Sequence, residues 1–427
     1  MKQGWVYLFP LLLFVLLFLG SGIWLNDFYA ISSVFWIFLV LIVTFLFFDG
    51  SFQEKFDTFL EGVSDRNILL MCVIFVLSGV FTSLCKANGS IDYLTYLLLD
   101  IIAPQYIFVT VFLLSCSLSF ALGTSVGTIV ALAPIVFQMG LNNPEALVIL
   151  GGSLLGGSMF GDNLSLISDT TIAATQTMHV SMKDKLKANA IIALIAAGIT
   201  CVVLLTFSVE YTHSTIKPEQ TSIWLLVPYV LVVVLALLGI HVVKVLILCS
   251  ILAFEIVFWQ LSDFTTATQT VFVGMQSMFE IVILSLCIGG LAQMISKAGG
   301  IQYIIDILQK WIGNRPKRAP IVIATLVSAI NFTVANNTIS LLISGPIAHN
   351  ISEFYHLNKP RVTSLLDIFS CIVQGLIPYG AQVLILINLF EKKISYTDLI
   401  AHSYYIWLLF GVTIISLFIS YRKPVSN

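Results

Sequence analysis

Asn331-Phe332-Thr333-Val334-Ala335-Asn336-Asn337-Thr338 is the polar middle of an apolar stretch, residues 319–349, that is basic on both flanks. Lys310, Arg315, Lys317 and Arg318 precede the stretch and Lys359 and Arg361 follow it. Basic loops stay in the cytoplasm, so both ends belong on one side of the bilayer, and a single crossing is excluded. A re-entrant hairpin satisfies the pattern: two helical arms dip into the membrane and return, and the non-helical tip is tolerated where it lines a cavity inside the protein.

The composition places the rest of the chain in the same solvent. Of 427 residues, 58% are apolar and 10% charged, against about 25% charged in soluble domains. Windows of about 20 apolar residues, enough for a helical crossing, recur at residues 28–48, 68–84 and 190–208. A β-barrel would show short alternating segments instead. The net charge of −2 and the lack of a long basic tract exclude a nucleic-acid partner and leave membrane lipid as the surroundings. The seven cysteines form no CxxC pair and read as small core residues. The histidines form no HxxxH or HExxH pattern, so no zinc site and no cofactor is expected. Lys2 and the apolar run to Leu19 read as an uncleaved first helix.

Counting bases in the loops traces the path. The Lys183, Lys185, Lys187 stretch reads as cytoplasmic. The next span leads out to a loop with Glu210, Lys217 and Glu219, and another returns near His241 and Lys244. A further span reaches the outer loop at residues 262–270, and residues 274–296 come back to the basic loop beginning at Lys297. Both termini are expected in the cytoplasm.

A second polar tip, Gly123-Thr124-Ser125-Val126-Gly127-Thr128, lies within residues 106–139, whose flanks are poor in bases, so this hairpin enters from outside. An internal echo joins the two. Lys86-Ala87-Asn88-Gly89-Ser90-Ile91-Asp92-Tyr93 resembles Lys297-Ala298-Gly299-Gly300-Ile301-Gln302-Tyr303, and each opens a short amphipathic stretch with Asp100 or Asp306 downstream. From Lys86 to Thr124 is 38 residues and from Lys297 to Thr333 is 36. After each hairpin comes a helix interrupted by polar or helix-breaking residues, at residues 160–171 and 374–382. The expected fold is an all-α membrane protein of about 10 transmembrane helices with two re-entrant hairpins and two broken helices in an inverted repeat, as secondary transporters are commonly built. The whole chain, residues 1–427, forms one domain, with a first repeat at about 28–208, a linking span at about 221–240 and a second repeat at about 244–421. The glycine pairs Gly151-Gly152 and Gly156-Gly157 read as flat faces for close helix packing.

The chemistry is expected at the breaks. Asp162 and Asp169 stand seven apart in a run rich in Ser, Thr and Asn, and an acid at membrane depth costs at least about 2.5 kcal/mol. Such residues persist where they face water or hold an ion. A break at residues 161–165 frees carbonyls that, with Asp162, Asn163, Ser165, Ser168, Asp169 and Thr170, make an oxygen shell for a hard cation, with sodium suspected at Asp162 and Asn163. Asp169 also reads as an N-cap. The tips supply Gly123, Thr124, Ser125 and Thr128 from the first hairpin and Asn331, Thr333, Asn336, Asn337 and Thr338 from the second, with Tyr379 and Gln382 from the second break. Glu255 and Glu280, each alone among apolar neighbours, fit either a lipid-boundary role or a proton path.

The runs Gly123-Thr124-Ser125-Val126-Gly127-Thr128 and Gly161-Asp162-Asn163-Leu164-Ser165-Leu166-Ile167-Ser168-Asp169-Thr170-Thr171 resemble the signature segments of the NhaC family of sodium/proton antiporters, in the ion transporter superfamily. The resemblance covers most of the chain. It implies the inverted-repeat fold, assembly as a homodimer, and coupling to sodium or protons. The chain departs from the family at Leu166, where a proline often follows the serine. The expected activity is sodium/proton antiport across the bacterial inner membrane, with Asp162 and Asp169 carrying Na+ and H+ in alternation. The alternative is a sodium- or proton-coupled permease for amino acids or small carboxylates on the same fold. An intramembrane enzyme lacks a nucleophile and base pair, and a passive channel would not need paired broken helices.

Overall fold

In a computed structural model, which describes residues 4–25, 27, 30–165, 168–207, 222–238, 240–261, 263–313 and 316–418, the chain is a helical bundle with no strand among the described residues. Eight helical segments there are long and apolar enough to cross a bilayer, among them Arg66–Ala87, Pro144–Met178, Met182–Leu205 and Lys359–Leu389. Shorter apolar helices include Ser33–Phe47 and Tyr404–Leu417. The loop with Glu210, Lys217 and Glu219, together with Arg315, Leu166 and the C-terminal residues after 418, lies outside the described residues.

Both hairpins form as the polar tips require. The first pairs helix Ile107–Leu122 with Ser125–Gly140, and the second pairs Ala319–Val334 with Asn337–Phe354. Each first arm ends on a left-handed residue, Gly123 (φ +68°) or Ala335 (φ +51°). Each second arm starts from a side-chain cap: Thr124 Oγ1 accepts from Gly127 N and Asn336 Oδ1 from Ile339 N, which satisfies an amide no helical carbonyl can reach. Pro134 and Pro346 sit inside the second arms, at the same distance from their caps. Tyr355 Oη donates to Gly313 O at 2.8 Å and ties the two ends of the second hairpin together. The true counterpart of Thr124 is therefore Asn336, not Thr333, which back-bonds to Ala329 O within its own helix.

The lead helices Arg66–Ala87 and Phe279–Lys297 are followed by amphipathic helices Ser90–Ile101 and Gly300–Ile312, entered through left-handed Gly89 and Gly299. Beyond the hairpins come the broken helices. The first runs Pro144–Leu164 and resumes at Asp169–Met178, and the second runs Lys359–Leu376 and resumes at Ala381–Leu389. The first break opens at Ser165 rather than at Gly161. Gly161 stays helical because its missing Cβ serves packing: a Cβ there would lie 2.4 Å from Phe120 N. Gly152, Gly156 and Gly157 likewise meet His402 O, Tyr405 Cβ and Phe112 O, as flat faces should.

Two charge assignments change. Helix Met182–Leu205 starts at Ser181, which caps Asp184 N, so Lys183, Lys185 and Lys187 belong to its first turns and not to a loop. Lys183 and Lys187 are exposed but Lys185 is buried. Glu280 is not alone: Lys392 Nζ lies 2.5 Å from its Oε2 and Ser32 Oγ donates to its Oε1 at 2.8 Å. The neighbouring Glu391 holds Lys86 at 2.6 Å, and both Glu391 and Lys392 have left-handed backbone, φ +52° and +56°. Glu255 is exposed on the flank of Val242–Leu261. Six of the seven cysteines are buried, as small core residues.

Candidate functional site

The hairpin tips and the first break meet at a cavity of about 120 Å³. Its wall contains Gly123, Thr124 and Ser125 from the first tip, Asp162, Ser168, Asp169 and Thr170 from the first break, Asn336, Asn337 and Thr338 from the second tip, and Gln374 and Gln382 from the second break. A water needs roughly 10–15 Å³ of such space and two to four polar partners, so this cavity has the room and the polar lining to hold several. Asp169 is exposed at its rim while Asp162 is only 5% exposed.

Asp162 is held by hydroxyls at two helix starts. Ser125 Oγ, in the first turn of the arm Ser125–Gly140, donates to Oδ2 at 2.8 Å, and Ser168 Oγ, the cap of Asp169–Met178, donates to Oδ1 at 2.6 Å. Helix N-termini carry partial positive charge and favour an anion, which is why a carboxylate survives here. Thr170 Oγ1 lies 2.8 Å from Ser168 Oγ. The N-cap is thus Ser168, and Asp169 is the first helical residue, where an acid suits the dipole.

A hydrogen-bonded line crosses from one half to the other. Gln382 Nε2 donates to Ser125 Oγ at 2.9 Å, Gln374 Nε2 donates to Gln382 Oε1 at 3.1 Å, and the same Nε2 reaches Ala335 O at 3.1 Å. Counted from the start of the second half-helix, Gln374 occupies the place of Asp162: each lies six residues before the cap, Gly380 or Ser168.

Other expected residues stand behind the wall. Asn331 Nδ2 donates to Asn337 Oδ1 at 2.9 Å and to Ser370 O at 2.7 Å, bracing the second tip. Thr128 returns its hydroxyl to Thr124 O, and Tyr379 donates to Phe332 O. The carbonyls at the break are already taken: Thr171 Oγ1 donates to Ser165 O at 2.8 Å, and Asn163 O accepts from Lys185 Nζ at 2.8 Å and Asn189 Nδ2 at 2.9 Å. Asn163 is absent from the cavity wall.

Lys185 and Asp367 are the pair that the sequence reading passes over. Nζ and Oδ2 are 2.6 Å apart, with side chains 1% and 0% exposed. Asn189 Nδ2 also donates to Asp367 Oδ2 at 2.8 Å, and Ser364 Oγ donates to Asn189 Oδ1. The signal was present as helical spacing: Lys185, Asn189, Ala193, Ala196 and Thr200 form one buried stripe of small and polar residues, and Thr363, Asp367, Ser370 and Gln374 form the facing one.

Two hairpins and two broken helices gathered around a buried acid that faces a cavity define a secondary transporter of the broken-helix kind. A sequence model of the Na+/H+ antiporter family matches residues 3–209 and 211–422, and the chain belongs to that family. It is 25% identical over 370 residues to the malate-2H(+)/Na(+)-lactate antiporter of Bacillus subtilis (strain 168), covering 77% of each chain. It is 23% identical over 360 residues to the Na(+)/H(+) antiporter NhaC of the same organism, covering 75% of this chain and 79% of that one. The Na(+)/H(+) antiporter NhaC of Alkalihalophilus pseudofirmus is 25% identical over 350 residues, with 72% and 73% covered. The chain is a multi-pass membrane protein of a transporter family, with small ions as its cargo.

Proposed function

We propose that the chain exchanges sodium ions for protons by alternating access across a bacterial inner membrane, Asp162 binding the two in turn and Asp169 relaying them at the rim. The carrying observation is a charge count. Among the described residues only Asp162, Lys185 and Asp367 are buried and charged. Lys185 and Asp367 neutralise each other, so the centre is left with one negative charge, on the carboxylate that faces the cavity. A bound Na+ or a proton cancels it equally well, and that equivalence is what exchange requires. Ser125, Ser168 and Thr170 supply further oxygen ligands around Asp162, as a hard cation prefers.

Orientation and repeat symmetry support this reading. Lys86, at the end of the first lead helix, and Glu280, at the start of the second, are both bound by the turn at Glu391 and Lys392. Equivalent helices therefore run in opposite directions, in keeping with inverted repeats at about 28–208 and 244–421. Asn67 lines the cavity near the start of the first lead helix, and at that end Glu61 pairs with Lys297 at 3.3 Å. With the basic loops inside, both termini are cytoplasmic and the cavity faces inward, while the ion pairs of Glu391 and Lys392 close the outer side. Assembly as a homodimer, which the resemblance implies, is read by native mass measurement in detergent.

A second reading, a permease for a small carboxylate or amino acid, is favoured by the amides of Asn336, Asn337, Gln374 and Gln382 on the opposite wall and by similarity to a relative whose name includes malate and lactate. Flux in proteoliposomes containing a pH dye separates the two. Sodium alone should move protons in the wild type and not in Asp162→Asn. Proton movement that requires an added carboxylate or amino acid would replace antiport with the permease.

A further inference from the structure

Lys185 Nζ sits in a shell made of oxygen. Asp367 Oδ2 is 2.6 Å away, and Asn163 O and Thr171 Oγ1 are each at 2.8 Å. The shell spans the first break: Asn163 belongs to the last turn of Pro144–Leu164, whose final carbonyls lack helical partners, and Thr171 belongs to the first turn of Asp169–Met178. The remaining carboxylate oxygen, Asp367 Oδ1, is buried and has no hydrogen-bond partner among the described residues. A carbonyl at the C-terminal end of a half-helix is what broken-helix transporters present to a coupling cation, and further oxygens, a carboxylate among them, are what a hard cation prefers.

We propose that Lys185 is a tethered cation occupying a sodium-type site, so that its ammonium holds the two halves of the broken helix where a second, mobile Na+ would otherwise bind. An ordinary buried ion pair needs only its two members, whereas here the ammonium also takes up the break's own carbonyl and a hydroxyl from across the gap. The geometry stands whatever Asp162 binds. The consequence for coupling, one exchangeable cation site per chain instead of two, rests on the antiport reading.

The test empties the shell and asks whether Na+ refills it. In an Asp162→Asn background, which removes the buried carboxylate of the cavity and leaves only Asp169 at its exposed rim, Lys185→Ala leaves Asn163 O, Thr171 Oγ1 and both oxygens of Asp367 around a vacated space. The thermal midpoint of the purified double variant should rise by about 5 °C or more between choline chloride and 300 mM NaCl, as binding to the folded state alone requires. Asp162→Asn alone should not respond, and neither should Asp162→Asn with Lys185→Met and Asp367→Asn, where an apolar chain fills the space and no charge remains. Lys185→Ser, which adds an oxygen ligand, is the second probe should the alanine variant fold poorly, and recovery of either protein in NaCl but not in choline gives the same answer. A folded alanine or serine variant indifferent to Na+ overturns the proposal. So does failure to recover both in either salt while the Met/Asn variant folds, because the site then tolerates filler but no ion. Failure of sodium/proton flux in the wild type would sink the antiport reading and leave this result standing.

Discussion

The two breaks hold corresponding positions and opposite chemistry. Six residues before the cap of its second half-helix, the first break has Asp162, which accepts hydrogen bonds from two serine hydroxyls. The second has Gln374, whose amide donates to Ala335 O and Gln382 Oε1. One wall of the cavity thus carries the charge and the other closes around a donor. Duplicated architecture does not require duplicated function. In the proposed exchange the buried carboxylate of Asp162 is where a cation binds, and the matching amide joins the second tip to Gln382 and through it to Ser125 without adding a charge. That difference leaves one acid between the two corresponding positions.

The largest expected effect comes from erasing it. Asp162→Asn removes the buried charge and leaves only Asp169 at the rim, and sodium-driven proton movement should fall by at least about 100-fold, since a buried charged partner is worth several kcal/mol; retention of a tenth of the wild-type rate would move the exchange site elsewhere, to Asp169 first. Next, Gln374→Glu makes the walls alike. Its carboxylate would face Ala335 O and Gln382 Oε1, both acceptors, so it must hold a proton or a cation, and the protons released per chain on adding Na+ should roughly double; an unchanged count would show that the second wall is closed to ions. Ser125→Ala removes one of the two donors to Asp162 and the partner of Gln382. A hydrogen bond to a charged group is worth about 1.5–3 kcal/mol, so the Na+ concentration for half-maximal flux should shift roughly tenfold or more. The smallest effect belongs to Thr333→Val, whose hydroxyl only returns to its own helix: flux should stay within about twofold of wild type, as expected away from functional contacts.

The same contrast explains what was legible in the sequence. Hairpins and breaks announce themselves because polar residues and glycine in an apolar background are expensive unless they serve a cavity, and Asp162, Ser125, Ser168 and Asn336, all on the cavity wall, stood out for that reason. The register was less legible. Thr333 looked like the partner of Thr124, but which residue caps the returning arm depends on where the chain turns left-handed, and in the second hairpin an alanine takes that turn. Gly161 looked like the break because glycine has two uses, flexibility and close approach, and only packing against Phe120 tells them apart. Lys185 and Asp367 were hidden for a different reason. Bases at membrane ends are ordinarily counted as loop charges, and Lys185 lies between two lysines that are exposed as such charges are; its burial follows from a helix that begins earlier than its apolar run.

The turn at Glu391 and Lys392 grips both lead helices by neighbouring residues, one through Lys86 and the other through Glu280. Both contacts are partly exposed ion pairs, with side chains between 29% and 64% accessible, so they are the kind that added electrolyte screens. In brine the clasp slackens on both helices at once, so under the proposed orientation the medium richest in sodium is the one in which the outer latch is weakest.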